Sequence, residues 1–246
     1  ESREIKSLGV NTNLIKVINN GIEDDAFFNL EKFVGNEIRA IVAKNKPYII
    51  QVGRIHPIKN YEAPIKAFSR LSKKLNYLIV GPDQDMQYKV RLEKLIKELK
   101  LEKRVKFLGV ANGVDKYYLM RHAELMVHMA HWEAYCNAVH EGMSQGLVCI
   151  VTQDTALEEL IVDGVNGYCL DPYDHEALAE KIKFVLANKK SPKIKAMQKR
   201  NISFAKNHSW ENVARKVEIF YKESLKAIEQ SVLQKNLNKW SKYYEN

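Results

Sequence analysis

The sequence predicts an α/β protein built on a doubly wound parallel sheet, followed by a helical C-terminal extension. Three observations carry that expectation. From about residue 47, short and nearly continuous apolar runs recur along the chain, as strands covered on both faces do. Between them lie stretches with helix-period apolar residues and polar outer faces, the alternation expected of βαβ units. No run of eighteen apolar residues and no export-signal pattern interrupts the series, so no membrane-spanning helix is expected.

Residues 1–46 read as an opening segment from a domain junction, in which "KVINNGIEDDAFF" gives a short strand, an Asn-Gly turn and an acidic loop. Six strands follow: "YIIQVG" (48–53), "NYLIVG" (76–81), "RVKFLG" (104–109), "ELMVHM" (124–129), "LVCIVT" (147–152) and "NGYCL" (166–170). Helical patterns fall near 60–74, 86–100, 113–122, 137–145, 155–163 and 174–188. Residues 47–190 thus form one Rossmann-like domain of parallel strands. Residues 191–246 form the extension, basic in patches. In it Val213, Val217, Phe220, Leu225 and Val232 continue into a tail with Leu233, Leu237, Trp240 and Tyr244 at helical spacing. That stripe exceeds what one sheet face covers, so tail-dependent self-association is expected.

The 246 residues carry 39 Lys and Arg against 30 Asp and Glu, a formal charge of +9 that favours an anionic partner: nucleotide, nucleic acid or an acidic membrane face. The three cysteines, Cys136, Cys149 and Cys169, form no CxxC pair and no disulfide framework, which points to a reducing cytoplasm. The chain opens at Glu1 rather than methionine, which reads as a piece of a longer protein.

In a doubly wound sheet, ligands sit beyond the carboxyl ends of the strands, where helix N-termini favour anions. "VGRIHPIKN" (52–60) is one such position. Gly53 lets the backbone approach a ligand, while Arg54 and Lys59 offer a fork and a point charge to phosphate oxygens. The stretch has neither a GxGxxG nor a Walker spacing, and a basic turn of this kind can equally be solvated surface. "EAYCNAVHE" (133–141) is a second position, at the end of the fourth strand and the start of a helix. Its first-turn amides, at Cys136, Asn137 and Ala138, suit a diphosphate or a sugar hydroxyl. Glu133 faces the same pocket from the loop, with Glu141 one turn inside the helix; carboxylates accept from pairs of sugar hydroxyls. The plainer alternative is that both glutamates only favour the helix N-terminus electrostatically.

At these residues the chain resembles the retaining glycosyltransferases of group 1, or family 4, of the two-domain GT-B architecture. "VINNGIEDDAF" is similar to that family's NG[VI]D segment, "VGRIHPIKN" to its GR(x4)K turn, "EAYCNAVHE" to its E-x7-E motif, and "ELIVDGVNGYCLDPYDHEALAEKI" to its closing EL(x3)G(x2)G stretch. The resemblance covers nearly all of residues 7–225. It implies that Arg54 and Lys59 neutralise the donor diphosphate, that Glu133 lies against the transferred sugar, and that Glu141 holds the ribose hydroxyls. The backbone amides of Asn137 and Ala138 would contact phosphate, and Gly53 would line the pocket.

By the same resemblance the chain is the C-terminal donor-binding half of a metal-independent, retaining hexosyltransferase. It would use a nucleoside-diphosphate sugar, such as a UDP- or GDP-sugar, as substrate and no cofactor. The acceptor, a sugar, a lipid-linked molecule or a small molecule, would be bound mainly by an N-terminal domain of the parent protein, so the half alone would bind donor without useful turnover. A cytoplasmic carbohydrate-biosynthetic enzyme is implied, with no nucleic-acid partner, and the charge permits peripheral contact with the inner face of a membrane. Two rivals stand beside it: a non-catalytic basic nucleic-acid-binding module using Lys189–Lys206, and a hydrolase or epimerase on the same architecture.

The chain departs from the family pattern where EGFG is replaced by Glu133-Ala134-Tyr135-Cys136, and where a double glycine is replaced by Thr155-Ala156. Backbone freedom in both loops is expected to be lower. His128 and His131 flank the fourth strand's end without a third ligand at metal spacing, so no metal is expected there. His56 reads as a loop histidine and Cys136 as a non-catalytic thiol.

Overall fold

The structure, a computed structural model, describes residues 15–244 with residues 5 and 7–9, and side chains continuously from 15 to 232. The chain divides into two compact units, one running from Ile22 to Asn207 and the other comprising the described residues up to Gly21 and those from His208 onward.

The larger unit is a six-stranded sheet of order β3-β2-β1-β4-β5-β6: β1 (Tyr48–Val52), β2 (Asn76–Val80), β3 (Val105–Phe107), β4 (Met126–His128), β5 (Cys149–Thr152) and β6 (Gly167–Leu170). Every pairing is parallel. The order reverses between β1 and β4, which makes the crevice beyond those two strands the topological switch point. Before β1 come a short helix α1 (Leu30–Phe33) and α2 (Asn36–Asn45). The crossovers are α3 (Glu62–Phe68), α4 (Met86–Glu98), α5 (Gly113–Arg121) and α6 (Asn137–Ser144), and α7 (His175–Ala187) and α8 (Pro192–Lys206) follow β6.

Strand side chains alternate between two cores. Ile49, Tyr77, Ile79, Val127 and Ile150 pack with Phe68, Leu92, Leu178 and Ile182 on one face. Ile50, Leu78, Met126 and Val151 pack with Val42, Tyr117, Met120, Val139 and Met143 on the other. Side chains of this size each contribute about 1.5–3 kcal/mol when removed from water, and both faces are covered, which is why the strands read as unbroken apolar runs.

Two backbone approaches fix the switch-point end of the sheet. Gly81, at φ +150°, ends β2 so close to β1 that a Cβ there would lie 2.0 Å from the Gly53 carbonyl oxygen. Gly142 lets α6 settle on β4; a Cβ there would meet the Met126 sulfur at 2.6 Å.

The expected elements are present with corrections at their ends. The helix expected over 60–74 stops at Phe68, where Ser69 Oγ donates back to the Lys66 carbonyl and the chain tightens so that Leu71 N reaches the Phe68 carbonyl. The helix expected over 155–163 is only a 3-10 turn, Ala156–Glu159. There Asn166 accepts from Val162 N and donates to Leu160 O, taking over backbone groups that a continuing helix would use. The strands expected over 104–109 and 124–129 are three residues each. The sheet-bearing unit begins at Ile22 and ends at Asn207, so it takes in part of the segment expected to precede residue 47 and also α8, whose Ile194, Met197 and Asn201 are buried.

In the smaller unit the dominant element is α9 (Trp210–Tyr244), and Gly21 lies against Trp210. Val213 is buried, whereas Tyr221, Leu225 and Val232 are exposed. Leu233, Leu237, Trp240 and Tyr244 lie outside the residues whose side chains are described. No described helix is long and apolar enough to cross a membrane.

Candidate functional site

The turn after β1 is built by polar contacts beneath it. Gln51, buried in β1, accepts from the Tyr77 hydroxyl (2.5 Å) and donates through Nε2 to the Lys59 carbonyl (3.2 Å). The Tyr61 hydroxyl donates to the Gly53 carbonyl at 2.8 Å. Asn60 adopts the left-handed conformation and spends its amide on the Met129 and Pro172 carbonyls, each at 2.9 Å. His56 caps the short 3-10 turn, its Nδ1 accepting from Ile58 N, so it is a loop histidine as expected. Arg54 is exposed and pairs with no carboxylate among the described residues, whereas Lys59 is largely covered.

The turn after β4 faces it. Glu133 is 9% exposed and receives two partners on one oxygen: the Lys59 ammonium on Oε1, and His128 Nε2 at 2.6 Å from the same atom. Cys136 Sγ lies 3.3 Å from that ring nitrogen. Burial alone would lower the His128 pKa, yet Cys136 and Glu133 raise it to about 9. Burial would raise the Glu133 carboxyl, but hydrogen bonding and charge from His128 and then Lys59 bring it down to about 2. Glu133 is therefore a fixed anion over the ordinary pH range.

Cys136 caps α6 at φ 69°, with no side-chain bond to the first-turn amides. The loop keeps its left-handed turn although a thiol-bearing residue stands where glycine would be easiest. Asn137 and Ala138 open the helix. One turn further in, Glu141 Oε1 accepts from Lys116 Nζ of α5 at 2.7 Å. Burial raises the Glu141 carboxyl, and Lys116 opposes that rise.

The structure thus brings together Gly53, Arg54, Lys59, Glu133, Asn137, Ala138 and Glu141 on the turns and helix that flank the switch point. Sequence reasoning missed two partners, Lys116 for Glu141 and His128 for Glu133. The only signal in the sequence was a histidine inside an otherwise apolar strand. His131, paired with His128 in the sequence reading, instead stacks on Tyr173. Among the described residues, His128, Glu133 and Cys136 are within 4.8 Å of one another, as metal ligands can be. The expectation that nothing stands at metal spacing beside His128 is corrected by this grouping, which the fold and not the local sequence spacing creates; Nε2 and the carboxylate oxygen are engaged with each other and with the Lys59 ammonium, and Nδ1 has no partner among the described residues. Burial pushes the Cys149 and Cys169 thiols up to about 12. In the basic run, Lys189 pairs with Glu124 and Arg200 donates to the Val165 carbonyl.

The sequence profile of the family described as glycosyl transferases group 1 matches residues 36–208. The chain belongs to this family. Relatives of similar sequence include sucrose synthase 2 of Tulipa gesneriana, 30% identical over 153 residues, which are 56% of this chain and 19% of that protein. Mannosylfructose-phosphate synthase of Agrobacterium fabrum is 28% identical over 182 residues, 71% of this chain and 40% of that one. Among solved structures, a glycosyltransferase from Rickettsia africae superposes with a TM-score of 0.81 at 23% identity, covering 92% of this chain and 62% of that one. Anabaena HepE in complex with UDP superposes at 0.80 and 21%, covering 90% and 61%. The C-terminal domain of a group 1 protein from Francisella tularensis superposes at 0.63 and 22%, covering 76% of this chain and 97% of that domain. The chain therefore spans about a fifth of the sucrose synthases it matches and about three fifths of the first of these solved structures.

Proposed function

We propose that this chain is the donor-binding, C-terminal half of a retaining GT-B glycosyltransferase that uses a nucleoside-diphosphate sugar without a bound metal. The observation that carries the reading is the facing of Lys59 and Glu133 across the β1–β4 switch point, beside the N-terminus of α6. Arg54, Lys59 and the α6 amides are the countercharge for a departing diphosphate. Stabilising that leaving group is where such a site lowers the barrier. Glu141 accepts from the ribose hydroxyls. Glu133, held ionised, accepts from the transferred sugar or stands against its developing positive charge. The acceptor hydroxyl then attacks from the face the diphosphate leaves, which retains configuration.

Support comes from HepE, whose structures include complexes with UDP, with UDP and glucose and with UDP-glucose, and from the match to an isolated C-terminal domain. On this reading the nucleotide-sugar domain has residues 47–190 as its centre and takes in its neighbours out to Ile22 and Asn207, with the residues before it leading from the junction and those after it forming the extension. An N-terminal domain of the parent protein supplies the acceptor site for a sugar, lipid-linked or small-molecule acceptor in the cytoplasm. The test is a titration of the chain with UDP, GDP and ADP, and with a short DNA duplex. Saturable binding of a nucleoside diphosphate that Arg54→Ala weakens supports the reading. Steeply salt-dependent duplex binding alone supports the basic-module rival.

A further inference from the structure

The donor reading asks two things of one ion pair. Lys59 is to meet the diphosphate, and Glu133 is to meet the sugar, yet the Lys59 ammonium and the Glu133 carboxylate are bonded to each other. Once phosphate oxygens draw the ammonium over, Glu133 loses a cation in a place where only 9% of it is exposed. A buried carboxylate left without a partner either protonates or moves.

Its other partner cannot leave in the same way. His128 is the last residue of β4, 1% exposed and set between parallel neighbours, with Nε2 2.6 Å from Glu133 Oε1. Lys59 reaches the same oxygen on a flexible four-carbon stem from a three-residue 3-10 turn. We propose, on the strength of the donor reading above, that His128 is the positioning residue for Glu133. Its fixed imidazolium keeps the carboxylate charged and in place when the donor diphosphate takes Lys59.

The surroundings fit that role. The charged or titratable groups facing the ring are Glu133 and Cys136 from the β4–α6 turn, with Lys59 behind Glu133; the Tyr61 hydroxyl lies on Gly53 nearby. His128 Nδ1 has no hydrogen-bond partner among the described residues. A neutral ring therefore keeps its proton on Nε2, facing Glu133; the charged ring carries a second proton on Nδ1, which has no acceptor among the described residues, so the cation is held entirely by Glu133 and Cys136 at Nε2. What changes on deprotonation is the charge. Cys136 and Glu133 together raise the ring's pKa to about 9 against the opposing effect of burial, so the cation is present at the pH of ordinary assays. The sequence carries no motif for this residue, because its role depends on a partner five positions away across a turn and on a thiol eight positions away.

The experiment compares the chain with H128Q, which retains a donor but no charge, using UDP, GDP and ADP and their glucose conjugates as probes. Expected for H128Q is nucleoside-diphosphate affinity within threefold of the unaltered chain, with at least a tenfold loss of the conjugate's affinity relative to its diphosphate. In the unaltered chain that relative affinity should fall as pH rises through about 9, and in H128Q it should be flat. A second measurement needs no variant: the ring nitrogens of His128, followed by ¹⁵N resonance in the unaltered chain, should titrate near 9 both free and with diphosphate bound. Titration near 6.5 in the bound form overturns the role, as does an H128Q that keeps both the relative affinity and its alkaline fall. If the unaltered chain binds none of the probes, the donor reading falls and takes this role with it. If it binds them and H128Q behaves like it, only the role falls.

Discussion

Lys116 Nζ stands 2.7 Å from Glu141 Oε1, joining α5 to α6 beside the position given to the nucleoside ribose. Burial is the larger influence on Glu141 and raises its carboxyl, and Lys116 is the counterweight. Removing the ammonium with Lys116→Met should raise the carboxyl further, so that less of it is ionised on the acid side. Nucleoside diphosphate binding by this variant should weaken from pH 8 to pH 6 by more than it does in the unaltered chain, by calorimetry, since only the ionised form accepts from both hydroxyls. Equal affinities at the two pH values would remove Lys116 from the account.

Arg54 and Lys59 should each contribute to diphosphate binding on the scale of a charge-assisted hydrogen bond. Arg54→Ala and Lys59→Ala are expected to cost about 1–3 kcal/mol apiece. Arg54, being exposed, should fall at the low end and lose more of its effect in high salt. A Lys59→Ala variant with unchanged diphosphate affinity would mean that the ammonium stays on Glu133 when ligand binds.

Glu133→Ala should leave the bare nucleotide almost untouched and weaken the nucleotide-sugar by about 1–2 kcal/mol. The comparison is made with one diphosphate and its own sugar conjugate. Parallel losses for both ligands would place Glu133 against the phosphates instead.

Gly81→Ala tests the sheet end. An added Cβ would meet the Gly53 carbonyl oxygen at 2.0 Å, and the backbone at φ +150° disfavours any side chain. A loss of about 2–4 kcal/mol is expected, read from denaturant unfolding, together with weakened diphosphate binding because Gly53 must shift. A variant of unchanged stability would show that the two strand ends can part without strain.

The His128–Glu133 pair also sets a pH window for stability. His128 has its folded pKa raised to about 9 from 6.5, so its contribution is full below pH 6.5 and is lost as pH rises through 9. Glu133 has its folded pKa lowered to about 2 from 4.5, so its contribution is full above pH 4.5 and is lost as pH falls through 2. The melting temperature should be highest near pH 5 to 6 and should drop by several degrees by pH 9, where about 3 kcal/mol of the stabilisation implied by a rise from 6.5 to about 9 has been lost. In H128Q the alkaline fall should be reduced.

The sheet was legible because both of its faces are covered, which leaves runs such as "YIIQV" and "CIVT" without polar interruption. The loops that follow β1 and β4 were legible by their residues: a glycine and two cations in one, two glutamates around a helix start in the other. Legibility ended where a residue's role is set by a neighbour distant in sequence. Nothing local marks Lys116 as the partner of Glu141, 25 residues away, because it acts on a group brought to it only by the completed fold. Cys136 shows the reverse case. Its identity suggested a stiffer loop, and tertiary packing holds it in the left-handed conformation all the same.

The two halves of the crevice come from strands that are neighbours in space and distant in the chain: Lys59 and Glu133 are 74 residues apart. Such a contact closes only after the β1–β4 pairing has formed, a non-local event of the kind that slows folding. On the proposed reading, the donor site is therefore complete only once β1 and β4 have paired. A nascent chain still lacking β4 has the turn after β1 without its opposing wall, so on that reading donor present during refolding should slow unfolding of the finished fold without speeding its formation.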